Sequence, residues 1–414
     1  MSFESKIKKY ATLAVKTGVN IQKGQLLVIN GDVDCAWYIR EVVKAAYEAG
    51  AGEVVVQYSD SQVTKMRYDY ANEEALSHFA HWQYVQKEEN INRGCAFLSI
   101  GSPDPTLLAS VDAKKIRMVQ MAMSKAMQPL SYYTAANKGQ WSVELLPNPT
   151  WAKMVYPNVS EQEAMEKLWD AIFACCRIGE ENDPVADWQV HSDTVVKHGQ
   201  MLNAYQFKQL HFKNNLGTDV VVELVNDHEW AGGKCFTPEG VGFVPNLPTE
   251  EIFCMPHKNK VNGKVVATKP LSIQGKLVED FWFEFKDGKV VNYGASANLE
   301  SLESLLNMDE GAKYLGEVAL ISHDSPISQT NTLFYNGLID ENAASHLAFG
   351  TSFPSNIKGG SDMSKEELLA NGVNVAVSHT DFMIGTPEFK VVGIKESGEE
   401  VVIMEHGDFV LEGC

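Results

Sequence analysis

Two kinds of hydrophobic spacing divide the chain. In its first part, short continuous apolar runs alternate with stretches whose apolar positions recur every three or four residues. LLVIN, from Leu26 to Asn30, reads as a buried strand; AWYIREVVKAAYEAG, entered after Asp34, reads as an amphipathic helix closed by Gly50. EVVVQYS is the next expected strand, followed by a helical stretch from Asn72, the strand CAFLSIG, the Pro105-led segment TLLASVDAKKI and the strand-like WSVELLP. This alternation predicts a right-handed α/β layer with a mostly parallel sheet. Ser160, with Glu163 three residues on, marks the start of a helix running through KLWDAIFACC to about Ile178.

Beyond the acidic stretch GEENDP the period changes to two. HFKNNLGTDVVVELV, KVVATKPLSI, KLVEDFWFEFKDGKVVNYG and EVVIMEHGDFVL alternate apolar and polar positions, with turn residues such as Lys286-Asp287-Gly288 between runs. Antiparallel strands and hairpins are the expectation. The fold class is therefore an α/β N-terminal domain over residues 1–182 with a mostly parallel sheet, and a β-rich α+β C-terminal domain over 183–414. At 414 residues the chain is long for one core, which agrees with two domains.

Composition narrows the function. The formal net charge of −19 argues against sequence-independent nucleic-acid binding, which needs a lysine and arginine surface to displace counterions. No apolar run is long enough to span a bilayer, and MSFESKIKKYATLAV lacks a signal-peptide core. Seven cysteines scattered from Cys35 to Cys414 form no CxxC pair, as expected of reduced thiols in a cytoplasmic protein. An α/β layer invites a nucleotide, but no GxGxxG follows the first strand and no GxxxxGK[ST] occurs.

The chemistry-bearing residues lie in the second domain. NLPTEEIF, from Asn246 to Phe253, sets Glu250 and Glu251 after Pro248 and Thr249, which by itself suits acids at the positive end of a helix start. In GVNVAVSHTDFMIG, Val373, Val375 and Val377 share one face of an expected strand, and His379 and Asp381 continue it. Buried there, an imidazole and a carboxylate need each other or a cation. A hydrogen-bonded pair at a surface strand end meets the same need. Glu317 is a lone acid in the strand-like YLGEVALIS, where an edge-strand charge is the plainer reading. His346 lies in DENAASHLAFG, an expected short helix capped by Asp340 and ended by Gly350, where a satisfied core histidine is the plainer reading. Together Glu250, Glu317, His346, His379 and Asp381 form a carboxylate and imidazole set suited to zinc, cobalt or manganese. A carboxylate in such a set can bridge two ions. Zincin chemistry is excluded because no HExxH occurs, and His228-Glu229 lacks the second histidine.

NLPTEEIF, LGEVALIS, ASHLAFG and SHTDFMIG, in that order, resemble the motifs of the aminopeptidase T, aminopeptidase S and PepS family of metallopeptidases, and the resemblance extends to the opening KYATLAVKTGVNIQKGQLLVI. It implies a C-terminal domain carrying two divalent ions, removal of N-terminal residues from peptides with a free N-terminus, and a homodimer enclosing a cavity. Motif by motif it implies Glu250, Glu317, His346, His379 and Asp381 as ligands, Glu317 as the bridge, and Glu251 as the base acting on water. Glu251 turned to solvent or to a lysine is the alternative. The family's tyrosine, seven residues after the motif histidine, is replaced here by Phe353, with Ser352 beside it. A noncatalytic binding protein of the same fold and a metal-dependent hydrolase of other amides are the rival functions.

Overall fold

The computed structural model describes residues 2–273 and 276–411. Cys414, included in the cysteine reading, lies outside them; the six cysteines within them are all free thiols. The chain forms two compact units, Met1–Val190 with Lys234–Pro248, and His191–Gly233 with Thr249–Cys414. A helix begins at Pro184, at the end of the acidic stretch, and runs to Tyr205; the division into units falls within it.

The first unit is built on β1 (Leu26–Asp32), β2 (Glu53–Ser59), β3 (Ala96–Gly101) and β4 (Trp141–Leu145). They pair in parallel in the order β2-β1-β3-β4, and Asn246–Leu247 adds a parallel edge to β4. This is the parallel sheet that the alternation predicts. The helix Ala36–Ala49 returns the chain from β1 to β2 and ends on Gly50 at φ 104°, a left-handed position that favours glycine. Ser160 caps the helix Glu161–Cys175 by accepting a hydrogen bond from the Glu163 amide. That helix stops short of Ile178 because Arg177 takes φ 56°. One face of the sheet packs Leu26, Val28 and Phe97 against Ile91, Leu130 and Tyr133. Elsewhere in the unit, fully buried Glu144 accepts a hydrogen bond from the Tyr38 hydroxyl at 2.7 Å.

The second unit contains an eight-stranded and a five-stranded sheet whose pairings are antiparallel. In the larger sheet the hairpins turn at Asp287-Gly288 (φ 49° and 81°) and His406-Gly407 (φ 53° and 81°), the paired left-handed residues of a two-residue hairpin loop. The smaller sheet runs β8 (His379–Met383), β7 (His346–Gly350), β6 (Leu315–Leu320), β5 (Ile252–Cys254) and the short strand Ala231–Gly232.

Three local expectations are corrected here. NLPTEEIF starts no helix: Glu250 and Glu251 lie in a stretch without regular structure that leads into β5. DENAASHLAFG is not one helix; two short helical turns, Gly337–Asp340 and Glu341–Ala343, give way to strand β7, which pairs on both edges. The valines before β8 are not strand residues. Val373 is buried whereas Val377 is 78% exposed.

Candidate metal centre

Register across the five-stranded sheet assembles the site. Ala348 of β7 lies opposite Glu317 of β6 on one side and Asp381 of β8 on the other. Directly opposed residues share a face, as do residues two apart on a strand, so Glu317, His346, His379 and Asp381 all project from the same side. On the intervening strand the residue between them is Ala348, whose small side chain leaves the space above it to the two carboxylates and the imidazoles. The other face carries Val318, Leu320, Leu347, Phe349 and Phe382 into the hydrophobic core, which fixes the orientation of the polar face. A register shift between Leu315 and Glu317 brings Glu317 into line. At its centre, Gly316 passes so close to β7 that a Cβ would lie 2.3 Å from the Gly350 carbonyl oxygen.

The side chains converge closely. His346 Nε2 lies 3.3 Å from Glu317 Oε1, 3.4 Å from Glu251 Oε2 and 3.8 Å from Asp381 Oδ1. His379 Nε2 lies 3.2 Å from Asp381 Oδ1 and 3.6 Å from Glu317 Oε2. Glu317 thus offers one oxygen to each imidazole. It is a buried residue in a central strand, 4% exposed, and not an edge-strand charge. Two sets of ligand atoms lie within 4.8 Å of one another: Glu251, Glu317 and His346, and Glu317, His379 and Asp381.

Each histidine is set for this role by its other nitrogen. His346 Nδ1 donates to the Ala344 carbonyl at 3.2 Å and His379 Nδ1 to the Thr351 carbonyl at 2.8 Å. That leaves each Nε2 directed at the carboxylates, the orientation found in metal-bound histidines.

Electrostatics show what the cluster requires. Burial, and then the neighbouring charge of Glu317, push the Glu251 carboxyl up to about 8. Burial alone would lower both histidines. Contact with Glu317 and the charges of Asp381 and Glu251 nevertheless carry His346 up to about 10, and Asp381 and Glu317 carry His379 up to about 9. Crowded carboxylates are demanding positive charge from whatever stands between them. Asp381 Oδ1 is buried without a hydrogen bond among the described residues. A mixed nitrogen and oxygen donor set with an unsatisfied buried oxygen fits a divalent ion.

The remaining expected residues are placed as follows. Glu250 joins neither set: its carboxylate lies 3.6 Å from His191 Nε2, and its amide donates to Asn342 Oδ1 at 2.7 Å. Glu251 stands where Glu250 was expected. Phe353 is 42% exposed and packs against the His379 ring, centroids 5.0 Å apart, and against Phe253 at 5.8 Å. Ser352 is buried, and its hydroxyl has no hydrogen bond among the described residues.

Sequence reasoning missed three residues. Glu341 interacts electrostatically with Glu251, Asp381, His346 and Glu317, and burial raises its carboxyl well above the usual range. Its position five residues before His346 was the available signal. Fully buried Asn342 holds the backbone of Glu250, and His191 Nε2 lies 2.9 Å from the Thr249 carbonyl oxygen; no local pattern marks either.

The thermophilic metalloprotease (M29) family matches residues 3–409. The chain is 42% identical over 410 residues to aminopeptidase 2 of Geobacillus stearothermophilus and 41% identical over 408 residues to aminopeptidase AmpS of Bacillus subtilis, with 99% of each chain covered in both cases. It superposes on wild-type AmpT from Thermus thermophilus with a TM-score of 0.91 at 36% identity, covering 99% of this chain and 100% of that one.

Proposed function

Because the chain belongs to the thermophilic metalloprotease family M29 and is accordingly a metal-dependent aminopeptidase, we propose that it works through two divalent ions held on the polar face of the five-stranded sheet. Glu251, Glu317 and His346 hold one; Glu317, His379 and Asp381 hold the other. The observation that carries this reading is the Glu317 carboxylate, with one oxygen toward each histidine. Zinc, cobalt and manganese all suit the donor set. When bound, such ions polarise a peptide carbonyl and make hydroxide available near neutral pH.

The chain's own groups supply the rest. His346 and His379, clamped through Nδ1, keep their Nε2 atoms directed at the cluster. With Glu251 in the ligand set, the proton-transfer role expected of it passes to Glu341, the remaining carboxyl that interacts with all four of its neighbours. Positive charge held by the two ligand sets would offset the burial and neighbouring carboxylates that raise Glu341, leaving it ionised to take a proton from the attacking water and return it to the leaving amine as the carbon–nitrogen bond breaks. Phe353 packs a ring beside His379 and has no hydroxyl to offer a developing oxyanion. Peptides with a free N-terminus are the substrates. A cytoplasmic homodimer is the proposed setting, for which light scattering should give about twice the 45.8 kDa chain mass; a fully active monomer would overturn the assembly. Among the described residues no helix is long and apolar enough to cross a membrane.

Metal analysis during chelation and reloading tests the centre. Activity on a dipeptide should fall as metal is removed and return as content approaches two ions per chain. Full activity in metal-free protein overturns the reading, and saturation at one ion retires the second set.

A further inference from the structure

The first unit carries a cavity of about 810 Å³ that the aminopeptidase reading leaves unused. Its floor is the parallel sheet, where the apolar face changes character along the strands. Val28 pairs in register with Val55 and Phe97, and all three are apolar; two residues further on, Asn30 pairs with Gln57 and Ser99. These three polar side chains lie in the carboxyl-terminal halves of adjacent strands and make no side-chain hydrogen bond among the described residues. β1 and β3 are also where the chain reverses direction across the sheet, since it runs outward to β2 before crossing back to β3. Parallel α/β sheets place ligands at such a switch point.

The walls add charge and apolar area. Helices His81–Asn92 and Ala113–Met127 contribute Trp82, Gln83, Gln86, Lys87, Met123 and Met127. Lys87 is the one charged residue among the lining side chains, in a chain of net charge −19, and no acid lines the cavity. Its ammonium lies 5.7 Å from the centre of the Phe97 ring and has no hydrogen bond or ion pair among the described residues. Burial lowers its pKa, a cost that an anionic partner would offset. One ammonium with carboxamide side chains suits a single carboxylate and neutral amides. No glycine-rich phosphate motif of the GxGxxG or GxxxxGK[ST] kind accompanies the strands here.

We propose that this cavity binds a molecule bearing one carboxylate on an apolar, amide-containing body, the chemistry of the C-terminal end of a short hydrophobic peptide. Lys87 takes the carboxylate, Asn30 and Gln57 take the amide groups, and Trp82, Met123 and Met127 cover the side chains. The volume falls in the usual range for small-molecule sites.

Calorimetric titration of the full-length metal-loaded protein with N-acetyl-leucyl-phenylalanine tests this, since the blocked amine makes it a poor aminopeptidase substrate. One molecule should bind per chain, and the C-terminal amide of the same compound should bind about tenfold more weakly or worse. Lys87→Gln should weaken binding similarly while leaving turnover of an aminoacyl arylamide, which has no carboxylate, unchanged. Trp82→Ala should weaken acid and amide alike. Equal affinity for acid and amide, an unaffected Lys87→Gln, or no binding overturns the proposal. Binding that vanishes on chelation also overturns it, by assigning the ligand to the metal centre, and none of these results depends on whether the proposed ligand sets are correct.

Discussion

Glu250 and Glu251 are consecutive in the chain and face different histidines: Glu250 lies 3.6 Å from His191 Nε2, and Glu251 lies 3.4 Å from His346 Nε2. Of the pair, Glu251 enters the cluster and Glu250 does not. Glu251→Gln should therefore lower metal occupancy and activity together, with partial rescue by added metal. Glu250→Gln should retain its metal. Metal stoichiometry and steady-state kinetics on the two variants decide it; loss of metal from Glu250→Gln alone would reverse the assignment.

Glu341→Gln separates proton transfer from ligation. If Glu341 moves the proton, the variant keeps full metal content and a nearly unchanged KM but loses about 10²–10⁴-fold in kcat. Metal loss in this variant would make Glu341 a further ligand.

Phe353→Tyr adds a hydroxyl to a ring already packed at a tilt against His379. With metal content unchanged, kcat on a dipeptide should rise by about tenfold, less than the roughly 10²–10³-fold associated with a fully preorganised oxyanion donor. An unchanged rate would identify the ring as wall packing.

Glu144 offers a test of stability. Burial raises its carboxyl well above the usual range, opposed by the Tyr38 hydrogen bond, and its Oε1 has no hydrogen bond among the described residues. Between the unfolded carboxylate value and the raised folded one, the folded protein binds more protons than the unfolded. Stability conferred by the protonated group is present at low pH and is lost as pH rises through that interval. Glu144→Gln keeps an acceptor for Tyr38 and removes the ionisation, so denaturant unfolding should become less pH-dependent, with a gain of about 1–2 kcal/mol at neutral pH. An unaltered pH profile would show that Glu144 does not set it.

The parts of the site that were legible in the sequence are those fixed by strand periodicity. Local pattern set Glu317 in an apolar run and gave His379 and Asp381 one parity, but their assignment with His346 as a ligand set came from the family resemblance. DENAASHLAFG misled because its alanines and leucine favour helix, whereas pairing with β6 and β8 on both sides decides for strand. The valines before β8 misled for a different reason. Asn374, fully buried, donates through Nδ2 to the carbonyls of Gly311, Tyr314 and Gly350, so side-chain bonds tie down a segment that has no strand ladder. Choosing between Glu250 and Glu251 required Asn342, 92 residues further along the chain, and no local pattern could supply it.

Ala348 between Glu317 and Asp381 turns the sheet into a ruler. Those two carboxylates spring from backbones two strand spacings apart, about 9.5 Å, a span kept constant by peptide hydrogen bonds on both edges of β7. Three of the strands therefore form a fixed jaw, dimensioned before any ion arrives. Glu251 precedes its own strand and lies off that scale. On the fixed span, a one-methylene change such as Asp381→Glu should be tolerated less well than its chemistry alone would suggest.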